Sequence, residues 1–368
     1  MERKLSIAIA CGGTGGHLYP GLAVGEALRN RGCAVALWLT GRATEAAGKA
    51  EWAGPVVEIP SQGVCTGGPL RRLAGLARML PAIRRAWRTM RASPPDALLA
   101  TGSYACIAPA IAARLLRVPL LLHEANVVPG TAIRVLRRFA VFTGAAFPET
   151  AALLKPTKVE TVGMPLRAVL ARRAAAPRAR HEGFHVLVVG GSGGAHRLNE
   201  LAADALCRFE KICRALRVTH LAGSADEGWV REAYEAAGVR AQVLSYGRDM
   251  ASLYAASDFV IARAGASTCA ELSLFGLPAL LVPYPHAGGH QARNARSLES
   301  RGAADCLEEA DLDGERLAAY LARNHASPDH WRALAETIAV RGVGDGTAAM
   351  ADHVYRAALL HAKQAAAE

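Results

Sequence analysis

Residues 11–21 read CGGTGGHLYPG, five glycines and one histidine in eleven residues, directly after the apolar run LSIAIA. An apolar strand that runs into glycines and then into the helical pattern LYPGLAVGEALRNRG starts a βαβ unit, with Gly32 placed as the helix stop. Glycines at such a turn let backbone N–H groups approach an anion, and the helix start adds about half a positive charge. A dinucleotide fingerprint fails here. Gly13-Thr14-Gly15-Gly16-His17-Leu18 lacks the last glycine of G-x-G-x-x-G, and the next strand ends at Thr40-Gly41-Arg42 without an acid. No G-x-x-x-x-G-K-[ST] follows either. The turn therefore reads as a phosphate-binding loop outside the nicotinamide and P-loop patterns. His17, where turn becomes helix, is its candidate proton acceptor.

The same device recurs about 178 residues later, where the strand HVLVVG runs into Gly191-Ser192-Gly193-Gly194-Ala195-His196. Two strand–glycine turn–helix units predict two similar domains, as the 368-residue length also does. In the first half the candidate strands are LSIAIA, CAVALWL, VVEIP, ALLAT, LLLH, AVFTGA and KVETVG, alternating with helical patterns. The Ala/Arg-rich residues 166–183 show no clear apolar periodicity and are read as the linker.

A third anion-binding geometry lies at residues 262–295, after the strand FVIA. Gly265, Ala266, Ser267 and Thr268 form a small-residue helix start, with Glu271 a few residues inside. Glu271 could accept both hydroxyls of a ribose, or act as a capping-box glutamate for Ser267 or Thr268. The loop with His286, Gly288, Gly289, His290, Gln291 and Asn294 lacks carboxylates and the histidine spacing of a zinc site.

Composition excludes several classes. At 51% hydrophobic and 20% charged the chain is globular. Its eight cysteines form no C-x-x-C pair and read as buried thiols. The basic start meets glycines instead of a cleavage site, and the uncharged stretch 97–113 is below spanning length. Of the net charge of +11, residues 1–163 carry all of it, with 20 Lys/Arg against 9 Asp/Glu. Residues 69–95 alone hold seven arginines and no acid. There Leu73, Leu76, Leu80, Ile83, Trp87 and Met90 predict one apolar helix stripe, with Pro81 kinking or dividing the helix. The arginines Arg84, Arg85 and Arg88 are solvated charge or a surface for anionic lipid. A nucleic-acid binder is disfavoured: beyond Trp87 no exposed aromatics interleave with the arginines, and the phosphate loops would go unexplained.

Taken together, GGTGGHLYPGLAV, HEANVVPG, GMPLR, VLVVGGSGGAHRLN and ARAGASTCAEL…GLPALLVPYPHAGGHQARNA resemble, in order and spacing, the MurG family of bacterial peptidoglycan glycosyltransferases. The resemblance runs from residue 5 to about 300. It implies an α/β GT-B fold, two Rossmann-like domains with parallel sheets facing across a cleft. The implied spans are an acceptor- and membrane-facing domain over 1–165, the linker 166–183, a UDP-GlcNAc domain over 184–345, and a helix over 346–368 packing back on the first domain. It further implies inverting transfer of N-acetylglucosamine from UDP-GlcNAc to the muramoyl 4-hydroxyl of lipid I, giving lipid II and UDP. It implies no cofactor, no catalytic metal, and a peripheral place on the cytoplasmic face of the membrane.

Carried over by position, the substrate contacts fall on Thr14, Gly15, Gly16, Asn126, Arg167, Ser192, Gly247, Ala266, Ser267, Thr268, Cys269, Ala270, Glu271 and Gln291, with Glu271 expected on the ribose. The first glycine loop is the implied cradle for the acceptor's diphosphate. His17 is the favoured base and Glu124 its competitor. The chain departs from the family pattern at Gly193, Ala125, Met164 and the run Gly102-Ser103-Tyr104-Ala105-Cys106. The rivals that share the fold are a glycosyltransferase acting on diacylglycerol and a UDP-GlcNAc 2-epimerase.

Overall fold

The structure, a computed structural model, describes residues 3–61, 69–154, 158–177, 182–191, 194–285 and 288–367, with the backbone alone at 47 and 69–77. Short apolar segments form strands buried on both faces, as parallel sheets require. In the first sheet these are β1 (Ser6–Ala10), β2 (Ala34–Leu39), β3 (Val56–Glu58), β4 (Ala97–Ala100), β5 (Leu120–Glu124), β6 (Ala140–Ala145) and β7 (Val159–Thr161). All pair in parallel, in the order β3-β2-β1-β4-β5-β6-β7. The seven strands expected from the sequence are these seven.

The second sheet holds β8 (Phe184–Val189), β9 (Leu216–Leu221), β10 (Arg240–Leu244), β11 (Phe259–Ala262), β12 (Ala279–Leu281) and β13 (Asp305–Cys306), in the order β10-β9-β8-β11-β12-β13. Each sheet reverses its strand order beside its first strand, between β1 and β4 and between β8 and β11. Loops at the carboxyl ends there form the crevice in which doubly wound folds take ligands. Both glycine turns leave those strands.

The chain divides into two units, Met1–Arg167 with Asp345–Glu368, and Ala168–Gly344. In the first, Ile7, Ile9, Leu37 and Leu99 pack on one face of the sheet with Met350, Ala351, Val354 and Ala358 of the helix Thr347–Ala367. On the other face Leu98, Leu120 and Leu122 meet Ala82, Ala86 and Met90 of the helix Pro69–Ala92. The second unit has its main core around Val186, Val188, Leu206, Phe209, Ile261 and Leu321.

Two expectations change. The helix Pro69–Ala92 runs unbroken through Pro81. Its described buried side is Met79, Ala82, Ala86 and Met90, while Leu80 is 62% exposed and Ile83 and Trp87 are half-buried. Small alanines allow the helix to lie close on the strands, so the stripe follows alanines that a count of large apolar residues passes over. Leu73 and Leu76 lie outside the described side chains. Within the segment read as a linker, Ala168–Ala175 form a helix with Leu170 buried, packed on the helices Met250–Ala255 and Ala266–Phe275. Ala, Leu and Arg are strong helix formers, and Pro177 stops the run. The seven described cysteines are free thiols, five of them buried. Among the described residues no helix is long and apolar enough to cross a membrane.

Candidate active site

In the first unit three loops converge at the carboxyl ends of β1, β4 and β5. Gly13, at φ +120°, turns the chain out of β1, and the helix Gly15–Asn30 begins with Thr14 as its N-cap but without a side-chain cap. The Thr14 side chain therefore takes none of its first-turn N–H groups, although the Thr14 carbonyl accepts from His17 N at 3.0 Å. Gly32, at φ +85°, lies just past its end.

His17 is half-buried on that first turn. Its Nδ1 lies 2.8 Å from Thr101 O, and Thr101 Oγ1 donates back to His17 O at 2.7 Å. A carbonyl only accepts, so Nδ1 carries the proton and the neutral ring keeps Nε2 as its basic nitrogen. Gly102 (φ +102°) lies under the ring, where a Cβ would come within 3.0 Å of it. Ser103 also takes a left-handed φ, +65°. Non-glycine residues held there mark backbone strain, which concentrates at functional loops. Next to it the buried Tyr104 hydroxyl has no hydrogen-bond partner, and the Arg42 guanidinium stands over the ring at 4.9 Å.

Glu124, at the end of β5, is buried. One oxygen accepts from Asn126 N at 2.9 Å and Nδ2 at 3.4 Å, and the other from Gly130 N at 2.8 Å. The carboxylate thus orders the loop that carries Asn126. His123, fully buried, donates from Nε2 to Gly163 O at 3.0 Å, and burial pulls it down to about 4. Arg167 lies over the Tyr19 ring at 4.5 Å and 3.5 Å from Glu51.

In the second unit Gly191 and Gly194 take φ values of +97° and +78° in the turn after β8. Ser192 and Gly193 lie outside the described residues. The helix Ala266–Phe275 has Gly265 as its N-cap, again without a side-chain cap, so its first amides are open to an anion. Beside them the Ser267 hydroxyl is buried without a hydrogen-bond partner, as is Nδ1 of His290. Glu271 is too far along the helix for a capping box, which places glutamate three residues after the cap. It accepts instead from Tyr254 OH at 2.9 Å. Cys269 and Ala270 are buried.

Gln291 accepts from Tyr284 N at 2.9 Å, and Asn294 donates to Ala264 O at 3.1 Å, so one helix fixes two neighbouring loops. Gly247 packs where a Cβ would lie 2.6 Å from Met250 Sδ. Arg263, which the sequence reading passed over, is buried. It donates to Val282 O and Pro283 O at 3.1 and 3.3 Å and pairs with Glu309. An arginine two residues before Gly265 was its only signal.

Behind the second turn His196 lies 2.9 Å from Asp226, which also accepts from Asn199 at 2.7 Å and Trp229 at 2.9 Å. The Asp226 hydrogen bond holds His196 above the usual histidine range. Asn199 Oδ1 meets the buried His220 at 3.0 Å, and burial pulls His220 down to about 3.

Residues 7–143 match the glycosyltransferase family 28 N-terminal domain, and residues 185–339 match its C-terminal domain. An Anaeromyxobacter protein is 37% identical over 95% of this chain and 92% of its own length. A Geobacter metallireducens protein is 36% identical over 90% and 93%. Both are named UDP-N-acetylglucosamine–N-acetylmuramyl-(pentapeptide) pyrophosphoryl-undecaprenol N-acetylglucosamine transferase. The crystal structure of Acinetobacter baumannii MurG superposes with a TM-score of 0.78 at 29% identity, over 96% of this chain and all of that one. A UDP-GlcNAc 2-epimerase from Neisseria meningitidis shares the fold, with a TM-score of 0.66 over 96% of this chain and 100% of that one, at 12% identity.

Proposed function

The chain belongs to the MurG family of glycosyltransferases, and from that premise we propose that it transfers N-acetylglucosamine from UDP-GlcNAc to the muramoyl 4-hydroxyl of lipid I, releasing lipid II and UDP. The observation that carries the chemistry is the His17–Thr101 pair, which leaves a basic Nε2 on an anion-binding loop.

Inverting transfer needs a base, a stabilised leaving group and aligned reactants. As the 4-hydroxyl oxygen attacks C1 of the donor sugar, its proton passes to His17 Nε2. The bond from C1 to the diphosphate oxygen breaks, and UDP departs with the electron pair. The first-turn amides at Ala266, Ser267 and Thr268 meet the growing diphosphate charge, and Glu271 holds the ribose hydroxyls. Ser192, Gly247 and Gln291 complete the donor contacts of the second unit. Thr14, Gly15, Gly16, Asn126 and Arg167 are the contacts of the first. Glu124 keeps the Asn126 loop in place, which favours His17 over it as the base.

The acceptor is lipid-borne, and the first unit offers a surface for an anionic bilayer. The helices Pro69–Ala92, Ile107–Leu115 and Thr131–Leu136 pack in succession. Exposed Arg84, Arg85, Arg88, Arg114, Arg134 and Arg138 alternate there with exposed Leu80, Leu115, Val135 and Phe139. Each basic residue near such a surface adds about 1 kcal/mol of attraction. This surface supports a peripheral place at the cytoplasmic face of the membrane.

Product analysis tests the reading. Purified protein with labelled UDP-GlcNAc is offered a lipid I analogue, diacylglycerol, or no acceptor. Label in a disaccharide lipid supports it. Label on diacylglycerol, or an epimerised nucleotide sugar without acceptor, overturns it.

A further inference from the structure

Dinucleotide-binding sheets place an acid after the second strand to hold a ribose. This chain has none at Thr40–Arg42, but Glu45 follows five residues beyond Thr40. Only 1% of it is exposed, and it is turned inward. Its Oε1 accepts from Gly13 N at 2.7 Å and Thr40 Oγ1 at 2.6 Å. Its Oε2 accepts from Thr40 N at 3.0 Å, Gly41 N at 2.9 Å and Arg42 N at 3.3 Å. These donors occupy both oxygens and leave none for a ligand.

The bond to Gly13 is one half of a clamp. Thr44, the preceding residue, donates from Oγ1 to Gly13 O at 2.8 Å. Both polar groups of Gly13 are thus held by consecutive side chains of one turn. The space is closed around them: a Cβ at residue 12 would lie 2.7 Å from Glu45 Oε1, and one at residue 13 would lie 2.7 Å from Ser103 Oγ. Gly13 is the hinge of the loop, and Thr14, Gly15, Gly16 and His17 follow it directly. A buried carboxylate bonded this fully costs much to disturb.

We propose that Glu45 is a positioning residue for the transfer. Through Gly13 it fixes the path of residues 14–17, so that the first-turn amides face the acceptor's diphosphate and the His17 ring faces the attacking hydroxyl. Glu45 touches neither substrate. The inference rests on the acceptor reading given above for the first loop.

Glu45→Gln is the informative variant, because it keeps the shape and turns one acceptor into an amide facing N–H donors. Two readouts separate the inference from the reading beneath it. Hydrogen exchange on wild type and variant needs no activity: faster exchange is expected at residues 12–18, with the second unit's residues 259–275 unchanged. Steady-state kinetics is expected to show kcat/KM for a lipid I analogue lower by about tenfold or more, with the KM for UDP-GlcNAc within about twofold and the fold retained by circular dichroism. Unchanged exchange over 12–18, or unchanged acceptor kcat/KM in the folded variant, overturns the role of Glu45. Should UDP affinity fall by the same factor, the effect is global and the role is likewise overturned. Wild-type protein that makes no disaccharide lipid defeats the acceptor reading instead, and exchange still decides whether Glu45 holds the loop.

Discussion

The two glycine turns occupy the same topological place and are held differently. The first is held from behind: Glu45 takes the Gly13 N–H, Thr44 takes the Gly13 carbonyl, and His17 is oriented by Thr101. In the second, Gly194 N donates to Gly191 O within the turn, and Ala195 stands between the glycines and His196. Among the described residues of that unit, the helix start at Ala266 has no side-chain cap and lies beside the unpartnered Ser267 hydroxyl. A glycine turn between the first strand and the next helix recurs in both units. Among the described residues, a histidine ring fixed on a backbone carbonyl at such a turn occurs only in the first.

The comparison breaks most decisively at His17. His17→Ala is expected to lower turnover by about 10²-fold or more, the usual worth of a general base, with UDP affinity unchanged in calorimetry. Turnover near wild type removes His17 from the role. Gly102→Ala attacks the same ring indirectly, through a strained φ and a Cβ 3.0 Å from it. A loss of more than tenfold in kcat is expected, with donor KM unmoved. In the second unit Glu271→Ala should act in the opposite way, raising the KM for UDP-GlcNAc by about tenfold, the worth of a charged hydrogen bond. The KM for the acceptor should stay constant. If both constants move together in either variant, the division of labour is wrong.

Reversing the charge of Arg84, Arg85 and Arg88 should release the protein from anionic vesicles in sedimentation while sparing UDP binding. Unchanged sedimentation assigns those arginines to solvated charge alone. The smallest effect is shared by both units. His123 and His220 are buried rings held near 4 and 3. Unfolded histidine takes up its proton near 6.5, so as the pH falls the unfolded chain binds protons first. Stability is then lost progressively from about pH 6.5 towards those folded values. Thermal melts between pH 7 and 4.5 should show this slope, and His220→Gln should flatten it.

Much of this was legible in the sequence. The strands of the first unit stand out as apolar runs closed by Gly, Pro or charge. β9, β10 and β13 do not, because LRVTHL holds an exposed Arg217 and buried Thr219 and His220, RAQVL holds exposed Arg240 and Gln242, and β13 spans two residues. The glycine turns announced their loops, and His17 its place on one of them. Glu45 lies past residues 40–42, where a ribose-binding acid would stand, and it faces inward, so spacing gives it no signal. Glu271 admitted a capping reading until the helix start was fixed at Gly265. Arg263 and Tyr104 act through packing between loops that are distant in sequence, which spacing does not encode.

One measurement bears most directly on the central claim, the anomeric configuration of the new glycosidic bond. UDP-GlcNAc carries its sugar in the α configuration, and a single displacement assisted by His17 must invert it. Nuclear magnetic resonance of the disaccharide lipid made by the wild-type protein is expected to show a β linkage. An α linkage, or no linkage to the muramoyl 4-position, would contradict the account.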